Sequence, residues 1–151
     1  MSIQDQLTED LKNAMKSGDA TTKDTVRLIR SAVQNAEIEK QGDLDDTDVS
    51  LVLGKMAKQY RDSITIYREA KRNDLVAKEE TELAVVMRYL PEQMSADDVR
   101  AIAETVAAEV DATGPGDKGK VMSKLMPQVR GKADGSMVNT VVGELLDALV
   151  G

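Results

Sequence analysis

Residues Lys118 to Lys132 hold five cations, Lys118, Lys120, Lys124, Arg130 and Lys132, and no Asp or Glu, within a chain whose formal net charge is -7. A solvated helix face usually mixes both signs, so a one-sign cluster in an acidic protein suggests a small docking surface for phosphates or for an acidic partner, the alternative being a tolerated solvated face. The chemistry on offer is charge and hydrogen bonding from ammonium and guanidinium groups.

Other spacings that could do chemistry fall away. Gly114 to Lys120 matches the G-x-x-x-x-G-K pattern of a phosphate loop, but Val121 stands where Ser or Thr would bind magnesium. The stretch also follows a predicted helix, not a strand, and nucleotide binding is set aside. Asp43, Asp45, Asp46 and Asp48 lack the glycine and terminal glutamate of a calcium loop and read as a helix connection. Lys58, Arg61, Arg68 and Arg72 form a second cationic stripe, with Asp62 and Glu69 close enough to pair with it, and Lys23, Arg27 and Arg30 have Asp24 nearby. Both sets read as solvated bundle faces.

Cys and His are absent, which excludes disulfides, thiol nucleophiles, imidazole acid-base work and Cys/His zinc sites. No carboxylate pair has a spacing that singles it out for catalysis. No catalytic residue, cofactor or metal is therefore expected. All three Tyr precede Pro91 and there is no Phe or Trp. Any nucleic acid bound by the cationic half would thus be held through phosphates, riboses and the shape of a folded RNA, without base stacking.

The elements that must position these cations are helices. A chain that is 41% hydrophobic and 31% charged is a soluble globular protein, and a core of Leu, Val, Ile, Ala and Met suits helix interiors. Apolar residues recur at helical spacing almost throughout. Ile3, Leu7, Leu11, Ala14 and Met15 mark a first helix from Ser2 to Gly18. A second, capped by Thr21 or Thr22, faces inward through Val26, Ile29, Val33 and Ala36. Thr47 caps a third with the seam Val49, Leu53, Met56, Tyr60, Ile64 and Tyr67. Asp74 caps a fourth that carries Leu75, Leu83, Val86, Met87 and Leu90 and ends at Pro91.

Ser95 and Asp98 form a capping box for a fifth helix along Val99, Ile102, Val106 and Val110, ended by Gly114-Pro115-Gly116. A short helix from about Asp117 to Met126 follows, broken or kinked at Pro127. In it Met122, Leu125, Met126 and Val129 share one face while Lys120 and Lys124 point the other way. A last helix begins at the Asp134-Gly135-Ser136 turn and packs through Val138, Val141, Val142, Leu145 and Leu149. The expected organisation is all-α, a four-helix domain over 1–92 followed by a three-helix tail domain over 93–151.

Several of these segments resemble a known family. Gly119-Lys120-Val121-Met122, Leu125-Met126-Pro127, Gly131-Lys132-Ala133-Asp134-Gly135 and Val138-Asn139 resemble the tail domain shared by YqeY-like proteins and the B subunit of the glutamine-dependent aminoacyl-tRNA amidotransferase. Arg27-Leu28-Ile29-Arg30, Glu37-Ile38-Glu39 and Tyr89-Leu90-Pro91-Glu92-Gln93 resemble the helical domain that precedes it in stand-alone YqeY proteins. The resemblance implies a tail that contacts the outer corner of tRNA. It implies no catalysis, because the amidotransferase's chemistry lies in parts absent from this chain, and any carbon-nitrogen ligase role would be accessory.

The functional expectation is a non-catalytic protein that binds tRNA or another structured RNA through Lys118, Lys120, Lys124, Arg130 and Lys132, with a link to tRNA amidation. The alternative is an adaptor that docks on the amidotransferase or a synthetase, its Met-containing helices supplying a plastic apolar surface. No signal peptide, basic transit peptide or membrane span is read in the sequence, and a cytoplasmic location is expected.

Overall fold

The structure is a computed structural model that describes residues 1–150. Among these residues the chain forms seven α-helices and no strand, so the all-α class holds. It divides into two compact units, Met1–Leu90 and Pro91 onward.

The first unit contains α1 (Ile3–Ser17), α2 (Ala20–Lys40), α3 (Asp46–Glu69) and α4 (Asn73–Met87). Ser2 caps α1 in a reciprocal box with Asp5, and Gly18 takes the left-handed conformation (φ 75°) that closes the helix. The cap of α2 is Asp19, not Thr21 or Thr22. Its carboxylate accepts the Thr22 N–H at 3.1 Å and the Thr22 hydroxyl at 2.7 Å, and a negative charge there also suits the positive end of the helix. Those two bonds, the hydroxyl's first, hold the Asp19 carboxyl below its ordinary value.

The same preference moves the start of α3 from Thr47 to Asp45, which accepts the Asp48 N–H at 2.8 Å. At α4 the cap position is Arg72, and Asp74 lies inside the first turn, held by the Arg72 guanidinium at 3.2 Å. This helix stops at Met87, short of Pro91, in a tightened turn where the Arg88 and Tyr89 N–H groups reach Val85 and Val86.

α3 packs on α4, α1 on α2, and α2 also meets α3 and α4. The core joins Leu7, Val26, Ile29, Val33, Val49, Leu53, Val85 and Val86. Val85 is a core position that the helical pattern alone leaves out, whereas Met15, expected inside, is exposed. Buried Tyr89 ties the end of the unit back to α1 by donating to the Asp10 carboxylate at 2.5 Å. Burial first and that bond second push its phenol above the ordinary tyrosine range.

The tail unit contains α5 (Ala96–Glu109), a 3-10 turn at Pro115–Asp117, α6 (Lys118–Val129) and α7 (Gly135–Val150). Its three α-helices all touch one another around Val99, Ala103, Val106, Val121, Leu125, Val129, Val138, Val142 and Leu146. The box at Ser95 and Asp98 forms as expected. The helix it opens ends at Glu109, earlier than the Gly114-Pro115-Gly116 stop, because Asp111 turns left-handed (φ 53°). On α7 Val138, Val141 and Val142 are buried as expected, Leu146 joins them with Leu145 partly buried beside it, and Leu149 is exposed.

One defect in the first unit has a measurable cost. The Thr25 hydroxyl is buried on α2 with no hydrogen-bond partner. An isosteric apolar group removes that desolvation penalty, so Thr25→Val is expected to stabilise the protein by about 1 kcal/mol. Urea denaturation of both chains checks it.

Candidate functional site

The direction of every charge on α6 follows from its apolar stripe. Val121, Leu125 and Val129, four residues apart, are completely buried, and Met122 and Met126 are partly buried beside them. That stripe turns Lys120 and Lys124 outward together, as their spacing predicts. α6 continues through Pro127, so the expected break or kink at that residue does not interrupt it. Proline there removes only the bond to the Ser123 carbonyl, on the exposed face, while burial on both sides holds the helix.

The five cations do not form one patch. Lys118 is the first residue of α6 and is half-buried, Lys120 and Lys124 share its outer face, and Arg130 and Lys132 lie exposed at and beyond its far end. At 1.5 Å per residue the helix separates its ends by roughly 18 Å. The set is therefore a band along one helix and into the following loop.

That loop is anchored on both sides of its turn. Gly131 is buried with φ 77°, a conformation open to glycine, and its carbonyl accepts the Gln93 amide at 3.2 Å. The Met94 N–H donates to the Lys132 carbonyl at 2.7 Å. Residues 93 and 94 thus fix the backbone that carries Arg130 and Lys132.

Two carboxylates that the sequence pattern does not single out control the near end. Asp117 accepts the Thr113 N–H at 2.8 Å and the Thr113 hydroxyl at 3.3 Å, and its other oxygen lies 3.7 Å from the Lys120 ammonium. Glu109, from the end of α5, sits 2.6 Å from the Lys124 ammonium. The Asp117 to Lys120 spacing of three is a local signal that was available. The Glu109 contact comes from another helix and left no local signal. Among the described residues Lys118 and Lys132 have no ion-pair partner.

The Gly114–Lys120 stretch follows a helix and runs through a 3-10 turn into the first turn of α6, so the strand that must precede a phosphate loop is missing. Gly114 has a packing reason instead: a Cβ there would approach the Val150 methyl to 2.8 Å. Arg68 on α3 pairs with Glu80 on α4 at 3.1 Å, and Arg72, beyond the end of α3, pairs with Asp74 two residues on at 3.2 Å, so neither is held by Asp62 or Glu69. Among the described residues no cluster of His, Cys, Asp or Glu could hold a metal, and no helix is long and apolar enough to cross a membrane.

Fold and site together define an all-helical protein whose tail unit gathers cations onto one helix and the loop after it. The model of the family described as Yqey-like protein matches residues 4–146, and the chain belongs to that family. Its relatives include altered inheritance of mitochondria protein 41, mitochondrial, from Pyrenophora tritici-repentis, 31% identical over 95% of this chain and 80% of the relative. The protein of that name from Saccharomyces cerevisiae strain S288c is 32% identical over 82% of this chain and 68% of its own length. The one from Lachancea thermotolerans is 39% identical over 56% of this chain and 46% of its own.

These relatives are mitochondrial by name, and they contradict the cytoplasmic location expected above. That expectation rested on the lack of a basic leader in these residues, and such an absence does not fix a compartment.

Asp117 offers a test of how the near end is built. The Thr113 N–H first, then its hydroxyl and the Lys120 charge, hold the carboxyl below the ordinary value of 3.8. A depressed carboxylate stabilises the fold fully above its unfolded value and loses that contribution as pH falls through the folded one. Asp117→Asn is therefore expected to melt below the parent at neutral pH, with the gap closing as pH drops below 3.8. Thermal melts of both chains across that range check it.

Proposed function

We propose that this protein is a non-catalytic binder of structured RNA, tRNA being the favoured class, and that its tail unit grips the phosphate backbone along α6 and the α6–α7 loop. The observation that carries this reading is the segregation of charge. From Pro91 onward the chain has six Lys and Arg against ten Asp and Glu, and five of those six cations fall between Lys118 and Lys132. An overall acidic unit that collects its cations in one band has a surface that attracts phosphate while the rest repels it.

The anchored loop supports the same reading, because a backbone fixed by residues 93 and 94 presents Lys132 with less backbone to order on binding. The lack of aromatic residues in the tail favours recognition of shape and backbone. A link to glutamine-dependent tRNA amidation is the part of the proposal that rests on the resemblance of the tail segments alone.

Ion pairs within the protein make the energetics specific. Lys120 and Lys124 must loosen Asp117 and Glu109 to meet phosphate, whereas Lys118 and Lys132 have no such competitor among the described residues. Three to five phosphate contacts correspond to a log-log salt slope between about -2 and -4.5. The test is fluorescence anisotropy of labelled bulk tRNA against the full chain over a range of salt.

Replacing Lys120, Lys124 and Lys132 together by Gln is expected to weaken binding about tenfold or more and to flatten the slope by about 2 to 3. Glu109→Gln is expected to act in the opposite direction, strengthening binding by freeing Lys124. Binding that is absent in the parent, or equal in the parent and the triple variant, contradicts the proposal. Protein partners that persist in affinity capture after ribonuclease digestion would favour an adaptor.

A further inference from the structure

A cleft of about 540 Å³ lies between α1 and α2, in the unit that carries no part of the site described above. Its volume is that of a small-molecule pocket, for which roughly 300 to 1,000 Å³ is usual. Arg27 and Arg30, one turn apart on α2, both line it. The sequence pattern offers Asp24 as a partner for this stripe, but Asp24 goes to Lys23, at 3.9 Å. Among the described residues neither guanidinium has a hydrogen bond or an ion pair.

Two unpaired guanidiniums on one wall are best matched by an anion with two charges and several acceptor oxygens. A phosphate monoester has both, and it accepts the forked donors of arginine in parallel bonds. A carboxylate would occupy one fork and leave the other cation facing it.

The remainder of the cleft is polar in a way that suits hydroxyl groups. Ser31 and Gln34 continue the arginine face of α2, and Gln4 enters from α1. Gln4 spends its amide N–H on the Leu44 carbonyl at 3.1 Å, which leaves its carbonyl oxygen as an acceptor. Glu37 closes the far end. One of its oxygens accepts the Leu44 N–H at 3.3 Å, and the carboxylate has acceptor capacity left for a ligand hydroxyl.

Glu37 lies seven residues beyond Arg30, roughly 10 Å along the helix axis, so the cleft has a cationic end and an anionic end about one small sugar phosphate apart. No aromatic side chain lines it to stack on a nucleobase.

We propose that the α1–α2 cleft binds a small phosphate monoester with a hydroxyl-bearing body, a sugar or polyol phosphate, with the phosphate on Arg27 and Arg30 and the hydroxyl end at Glu37. The test is isothermal titration calorimetry of the full chain with ribose 5-phosphate, glucose 6-phosphate and glycerol 3-phosphate. Ribose, inorganic phosphate and a short single-stranded RNA serve as comparisons.

At least one of the three phosphates is expected to bind more tightly than ribose or inorganic phosphate. Arg27→Gln with Arg30→Gln is expected to weaken it about tenfold or more. Glu37→Gln is expected to weaken that ligand while leaving inorganic phosphate unchanged. Both arginines are exposed, and circular dichroism verifies that the double variant keeps its helices. Absence of binding by all three phosphates, an affinity unchanged by the arginine substitutions, or tighter binding of the RNA oligomer would overturn the proposal. The substitutions are confined to the first unit, so tRNA binding by the tail succeeds or fails independently of this result.

Discussion

Three side chains on α6, Val121, Leu125 and Val129, decide which way the tail's charge faces, because their burial against α5 and α7 leaves the helix one rotational setting. Rotating α6 by one residue, about 100°, would bring the stripe toward water and a lysine toward the core, at a cost of roughly 1.5 to 3 kcal/mol for each apolar side chain exposed. The cationic band is thus a consequence of packing. The tail is small, its core is correspondingly thin, and each of these contacts is a large share of what holds it together.

Much of this is readable from spacing. Periodic apolar residues mark every long helix, and the Ser2 and Ser95 caps follow from a hydroxyl with an acid three positions on. Errors gather at helix ends, where several candidates compete. Asp19 and Asp45 displace neighbouring threonines because a carboxylate supplies both an acceptor and a charge for the helix N-terminus. Pro127 suggests a break, yet a helix held in the core by Val121, Leu125 and Val129 tolerates one missing bond on its wet side.

The candidate site is half legible. Five cations without an acid is a pattern in one dimension, and the outward direction of Lys120 and Lys124 follows from their separation of four. Their partners do not all follow. Glu109 reaches Lys124 from a different helix, and Arg68 on α3 finds Glu80 on α4 rather than a neighbour on its own helix. Ion pairs between helices depend on register and crossing, which composition does not encode. The same gap hides the α1–α2 cleft, since two arginines that look like a solvated face become a different object once they share a wall with α1.

Charge within the tail is also a matter of competition. Exposed ion pairs contribute little to stability, so Asp117 and Glu109 hold their lysines weakly enough for a polyanion to displace them. In the proposed complex these pairs set a threshold that a polyanion with many phosphates is better able to cross than an isolated phosphate. The most direct measurement is lysine acylation footprinting of the full chain with and without tRNA, read by mass spectrometry. Protection of Lys118, Lys120, Lys124 and Lys132, with the lysines of the first unit unchanged, is the predicted result. Uniform protection, or none between Lys118 and Lys132, would contradict the account.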